Sequence, residues 1–280
     1  MLRDIPPAES ESIFKSMVIP TRPDVLTAIK TAQEADDPDF DEIARLINSD
    51  LTLSATMLKT VNSPFYQLNK RVNSVDEALK LLGLRNICNI TEGVVLRQVL
   101  SGDNRQMDYF WDSANRMAMI AAALSENVHG IDSAEAYTFG LFHNCGQVLM
   151  SGRFPNYMET LERGERMSRQ EFIELENRRH QTSHNVVGYL LARTWYLPED
   201  AQLAILNHHD YSLFEHGEEA EWHHICTLIA IASLAEHILK MNIKQFEHIE
   251  WRSIEPVLLN HLAFKLEEFE DIVDHIGLLL

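Results

Sequence analysis

Along the chain, four pairs that read as helix starts each place a short side chain able to accept a hydrogen bond three residues before a glutamate. The pairs are Asp39 and Glu42, Ser74 and Glu77, Asp132 and Glu135, and Ser168 and Glu171. That spacing satisfies the orphan amides of a helix start reciprocally, so each pair opens a helix. Between them apolar residues recur at helical intervals, as in Ile43, Leu46 and Ile47, or Leu53, Met57, Leu58 and Val61. No run alternates with the period of a strand. Eleven glycines and nine prolines in 280 residues fall well short of the roughly 12% usual for the two together, leaving few turns and long helices. The fold class read from these features is all-α. Helices are predicted near 9–18, 24–35, 41–49, 51–61, 75–82, 84–100, 108–128 and 133–151. Further helices are predicted near 156–165, 169–180, 183–195, 199–209, 221–241 and, with a break, 255–277.

The length suits one large domain or two smaller ones. Twenty-four Lys and Arg against 42 Asp and Glu give a net charge of −18, which repels phosphate backbones and anionic lipid, so generic nucleic-acid and membrane binding are disfavoured. Cys88, Cys145 and Cys226 are odd in number and far apart, which fits neither a disulfide framework nor a metal knuckle and suits a reducing cytoplasm. The first residues lack an apolar signal core, and the apolar run Leu228 to Ala235 is much shorter than the roughly 18 residues of a bilayer span. A cytoplasmic protein is expected. No HExxH, GxGxxG, GxxxxGK or GxSxG pattern occurs, so zincin, dinucleotide, P-loop and hydrolase-elbow chemistries lack their arrangement.

The polar stretch Ser101 to Gln106 is the best internal boundary. Charge is uneven: residues 51–100 hold Lys59, Lys70, Arg71, Lys80, Arg85 and Arg97 against Asp76, Glu77 and Glu92, a local +3 in a chain of −18. Such an island, with Lys70, Arg71 and Arg85 as its binding surface, suits a signalling protein partner of acidic character or an anionic small ligand. The plain alternative is a solvated face beside core helices.

Several segments in order resemble the HDOD domain, the HD-related output domain of bacterial signalling proteins. They are Ile19 to Pro23, Leu46 to Ser54, Leu58 to Tyr66 with its Asn62-Ser63-Pro64, and Ser74 to Gly83. The resemblance continues through Trp111, Gly140 to Gly146, His184 to Gly188, Trp195 to Pro198 and His208-His209. It implies a small N-terminal helical lobe and an HD-like lobe, with boundaries at 1–18 for an N-terminal extension, 19–103 and 104–245 for the lobes, and 246–280 for an acidic helical tail. Independently of family, Asn62 and the pre-proline Ser63 suit a helix end, Asn62 through its tolerance of left-handed geometry. Pro23 and Pro198 suit helix starts, Gly83 suits the position after a helix, and Phe65 with Tyr66 reads as a plug between helices.

Catalytic relatives in the HD superfamily hold divalent metal with histidines and aspartates, and the metal-bound hydroxide attacks a phosphoester. The family's His-Asp pair falls at His143 and Asn144, and its later histidines at His184 and His208-His209. Asn144 brings no charge, Ser113 stands near a position where relatives carry histidine, and Ser233 near one where they carry aspartate. A dinuclear centre is therefore not expected. His143, His184, His208 and His209, with Asp210 adjacent, suit a single divalent transition metal, or they are satisfied interior histidines. Cys145 reads as core, and His216, His223 and His224 as a solvated run entering a helix.

The resulting expectation is a non-enzymatic signal-transduction module that works by binding, with a single divalent transition metal as the one cofactor candidate. Two alternatives stand beside it: a metal-dependent phosphohydrolase or nucleotide phosphodiesterase using the remaining histidines, and a small-molecule sensor with its cleft between the lobes.

Overall fold

A computed structural model describes residues 13, 17–63, 66, 68, 70–101, 108–216, 220–242 and 248–277. Among them there is no strand, and the fold is all-α. The described residues form two compact units, one within Thr21–Arg105, the other within Gln106–Leu278 together with Ile13 and residues 17–20. Most of the expected helix at 9–18, Phe65 and the polar boundary lie outside the described residues.

The first unit comprises α1 (Asp24–Gln33), α2 (Phe40–Asn48), α3 (Leu51–Val61) and α4 (Val75–Ser101). Asp39 caps α2 by accepting from the amides of Asp41 and Glu42, and Asp50 caps α3 through Thr52 and Leu53. Their apolar faces bury Ile43, Ile47, Leu53, Met57 and Val61. α4 bends at Gly83, whose φ of 78° is left-handed geometry that costs glycine least, so the helices expected on either side of it meet there. Asn62 departs from expectation: its φ is −82°, not left-handed. Its side chain does the work instead, donating to the carbonyls of Leu58 and Val72 at 2.7 and 2.8 Å and accepting from the Val72 amide at 2.8 Å. It thereby ties the returning chain to the end of α3. Arg22 and Glu92 make an enclosed ion pair at 3.1 Å. Burial raises the Glu92 carboxyl pKa, opposed by Arg22 and Lys30.

The second unit contains α5 (Asp108–Ser125), α6 (Ser133–Phe142), α7 (Cys145–Arg153), α8 (Tyr157–Gly164), α9 (Arg169–His180), α10 (His184–Thr194) and α11 (Glu199–Asn207). A 3-10 turn (Tyr211–His216) then leads to α12 (Ala220–Asn242), α13 (Trp251–His261) and α14 (Leu266–Gly277). The capping box foreseen at Ser168 and Glu171 is complete. Ile13, Met17 and Ile19 pack with Met150, Tyr157, Val186, Val187 and Leu190, and Pro20 accepts from the Trp195 indole at 3.0 Å. α13 starts a turn earlier than expected and contains Pro256. Its first residue, Trp251, stacks on His237 with ring centroids 3.6 Å apart, which anchors that turn. The stretch Trp222–Asn242 is long and apolar enough by composition to cross a membrane, longer than the sequence reading allowed, but 72% of its most apolar window is buried within the protein.

One long helix was expected over 133–151, but the chain breaks between α6 and α7 at His143 and Asn144. The Asn144 side chain makes no capping bond to α7, and the break lets α7 approach α10 closely. A Cβ on Gly146 would lie 1.9 Å from the His184 carbonyl oxygen and 2.8 Å from the Gly188 nitrogen. Because those neighbours are backbone, Gly146→Ala is expected to destabilise the protein by about 3 kcal/mol or more. Exposed Gly152, on the same helix, meets nothing within 4 Å, so Gly152→Ala should be neutral or stabilise by up to about 1 kcal/mol. Urea unfolding of the two variants checks the contrast.

Candidate functional site

α9 ends at His180, and Gln181 takes left-handed geometry with φ 60° and ψ 16°. The chain reverses there, so Glu176 on α9 and His184 at the start of α10 face each other. Both are fully buried. The His184 Nδ1–H donates to Glu176 Oε2 at 2.8 Å and its backbone amide donates to the same oxygen at 3.2 Å. The Tyr157 hydroxyl donates to the other carboxylate oxygen. In the neutral ring the proton therefore sits on Nδ1, and Nε2 presents its lone pair.

His208 and His209 follow α11. His208 donates through Nδ1 to the Ile205 carbonyl at 2.6 Å, which turns its Nε2 toward His184 Nε2 at 3.4 Å. His209 Nε2 lies 2.9 Å from His184 Nε2. These three rings can place their ligand nitrogens within 4.8 Å of one another. Two imidazole nitrogens about 2.0–2.1 Å from a tetrahedral ion stand about 3.3 Å apart, so the His184–His208 spacing fits a shared transition metal. The Glu176 carboxylate behind His184 is the outer support that orients such ligands. His209 is nearer, at hydrogen-bond distance, where its Nε2 carries the shared proton unless an ion takes both lone pairs.

His143 lies beside His208, ring centroids 5.6 Å apart, but its ligand nitrogen is not part of the three-histidine cluster. Its Nδ1–H donates to the Gly140 carbonyl at 2.7 Å, and the Asn144 amide donates to its Nε2 at 2.8 Å. Gln147 in turn donates to Asn144 Oδ1 at 3.2 Å. Asp210, expected beside the cluster, is exposed and accepts from the Ser212 amide and hydroxyl. Ser233 pairs with the Tyr211 hydroxyl at 2.9 Å. His224 lies in α12 rather than in a solvated run and pairs with Glu135 at 2.7 Å.

A cavity of about 360 Å³ opens beside these residues, lined by Ser113, His143, Asn144, Arg169, His209, Glu236 and Lys240 and by apolar groups such as Met117, Leu141, Phe172 and Leu239. Sequence reasoning missed Tyr157, Arg169, Glu176 and Glu236. Arg169 carried a usable signal, because a cation at the first position of a helix opposes the macrodipole. It is held by Glu236 at 3.0 Å and lies over the Tyr211 ring, while its amide donates to Glu250 at 2.8 Å. Burial raises the Glu236 carboxyl pKa, but Arg169 and then Lys240 hold it well below the usual range.

Lys70, Arg71 and Arg85 lie on the first unit, all exposed. Lys70 and Arg71 line one groove with Lys59, and Arg85 is not among its lining residues.

A family model for the HDOD domain matches residues 19–211. An uncharacterized protein of Treponema pallidum (strain Nichols) is 29% identical over 223 residues, 79% of this chain, and the match spans only 42% of that protein. An HDOD domain protein of unknown function from Geobacter sulfurreducens aligns with TM-score 0.72 and 24% identity over 95% of this chain and 92% of its own. A candidate phosphohydrolase of Shewanella amazonensis SB2B aligns with TM-score 0.71 and 16% identity over 96% and 92%. A candidate signal transduction protein of Marinobacter aquaeolei VT8 aligns with TM-score 0.70 and 18% identity over 98% and 59%. At these identities the structures show a shared fold.

The histidine cluster makes stability depend on pH. Burial lowers the His143 pKa to about 4, and burial with neighbouring histidines lowers those of His208 and His209 well below the ordinary value. The unfolded chain then binds more protons below pH about 6.5, so stability is full above that value and is lost as pH falls toward 4. His143 alone accounts for about 3 kcal/mol of this loss. Urea titrations of chelator-treated protein between pH 7.5 and 4.5 should show the decline, and His143→Gln should flatten it. A flat wild-type profile would contradict this account.

Proposed function

Since the chain belongs to the HDOD domain family, we propose that it is a signalling output module that acts by binding and not by catalysis. One observation carries the reading: the Asn144 amide donates to His143 Nε2. The nitrogen that would face a metal in a catalytic relative is already taken by a neutral neighbour that supplies no charge. A second ion thus lacks its ligands.

His184, His208 and His209 are the residues that would hold one divalent transition ion, and such an ion when bound supplies Lewis acidity. The protein's own part is to orient: Glu176 and Tyr157 fix His184, and Ile205 fixes His208. Three neutral nitrogens would hold one ion and leave a position open on it, whereas a second ion would lack the carboxylates that bridge a dinuclear centre. The metal-dependent phosphohydrolase remains the second reading, supported by the converging imidazoles and by the fold shared with the Shewanella protein. The signalling role draws support from the name of the Marinobacter relative. With a net charge of −18, the favoured partners are an acidic protein or an anionic small molecule meeting the local basic face, in the cytoplasm, rather than nucleic acid or membrane.

Metal analysis and turnover test this together. Protein loaded with zinc, manganese or nickel is expected to retain at most one ion, lost in His184→Ala, and Glu176→Gln should weaken that binding about 10–100-fold. A panel of mono-, cyclic and cyclic-dinucleotides should give no turnover above a His184→Ala/His208→Ala control. Two tightly held ions, or turnover that vanishes in the double variant and rises on Asn144→Asp, would establish the phosphohydrolase instead.

A further inference from the structure

The groove at the end of α3 is a second, independent feature. It offers about 710 Å³ and is lined by Lys59, Ser63, Lys70 and Arg71 among others, with no carboxylate among the described residues of its lining. The protein has 42 acidic residues for 24 basic ones, so acidic neighbours are plentiful, and several basic side chains take one. Arg22, Lys30, Arg45, Arg163, Arg169, Arg178, Arg179 and Lys240 all do. Among the described residues, Lys59, Lys70 and Arg71 form no ion pair, although they share one groove.

Two further observations separate this groove from a solvated face. The Ser63 hydroxyl oxygen is buried in its lining without a hydrogen-bond partner, and such a group costs free energy until something meets it. The rim is also braced. Asn62 bonds both backbone groups of Val72, and the Asn73 amide donates to Glu77 at 2.9 Å, so the segment bearing Lys70 and Arg71 is fastened at its C-terminal end.

We infer that this groove binds the phosphoryl group of a small soluble molecule. A phosphoryl dianion presents several acceptor oxygens. It matches two ammonium groups, one forked guanidinium and one hydroxyl donor, and charge-assisted bonds of this kind are the strong ones. The inference names a ligand class for the binding module proposed above and rests on that reading. It revises the basic surface foreseen from sequence, replacing Arg85 with Lys59 and adding Ser63.

The test is calorimetric titration of the full chain, chelator-treated, with inorganic phosphate, pyrophosphate and acetate at fixed ionic strength. Pyrophosphate should bind tighter than phosphate, and acetate should not bind measurably. Lys59→Gln/Arg71→Gln should weaken pyrophosphate binding about tenfold or more, and Ser63→Ala about threefold to tenfold. Thermal melts should show both variants folded, since the two cations are exposed; if Ser63→Ala unfolds, the double variant still decides the question. Failure of phosphate and pyrophosphate to bind, equal binding by acetate, or undiminished binding in the folded double variant would each overturn the inference. Chelation removes metal-dependent hydrolysis from the readout, so turnover in the separate assay would refute the non-catalytic reading without touching this result.

Discussion

A single buried carboxylate organises the histidine cluster. Glu176 has no access to water, and an unpaired charge there would be intolerable. Its two oxygens are met by the Tyr157 hydroxyl, the His184 ring and the His184 backbone amide. Those bonds fix the turn between α9 and α10, the tautomer of His184 and the direction of its Nε2. The crossing of α7 and α10 at Gly146 depends on the same placement, because the His184 carbonyl occupies the space a side chain on Gly146 would need. Removing the carboxylate would therefore disturb a helix crossing and a candidate metal ligand together.

The helices were legible because their determinants are local. Asp39, Ser168 and the kink at Gly83 act within a turn of where they stand, and α3 and α9 run as the sequence reading placed them. The break at His143 and Asn144 was not legible, since residues 133–151 keep helical spacing across it. Its cause is tertiary, the approach of α7 to α10. Glu176 was equally hidden. α9 carries charged residues on most of its surface, and nothing in its sequence marks which acid turns inward. That choice is made by Tyr157 and His184, which lie on other helices.

The histidines show the same limit from the other side. Sequence placed His143, His184, His208 and His209 in one set, and three of them converge. What separates His143 is the Asn144 amide bond to its Nε2, which identity alone does not reveal, because an asparagine can offer oxygen or nitrogen. Here the Gln147 donor engages the oxygen, which leaves the nitrogen for His143. One hydrogen bond from Gln147, three positions beyond Asn144, thus sets the orientation of the amide that meets His143.

Charge is distributed by the same logic of pairing. Arg169 sits where a helix start disfavours a cation, and Glu236 and Glu250 compensate it; Arg22 is enclosed and Glu92 compensates it. Each buried cation has its acid close by, as burial demands. Lys59, Lys70 and Arg71 escape that demand because they are exposed, yet they converge on a groove without acids in a chain rich in them. Burial forces partners on the first group, while nothing in the fold of the first unit requires the second group to cluster. That cluster, on a rim held by Asn62, is the observation on which the proposed phosphoryl recognition rests.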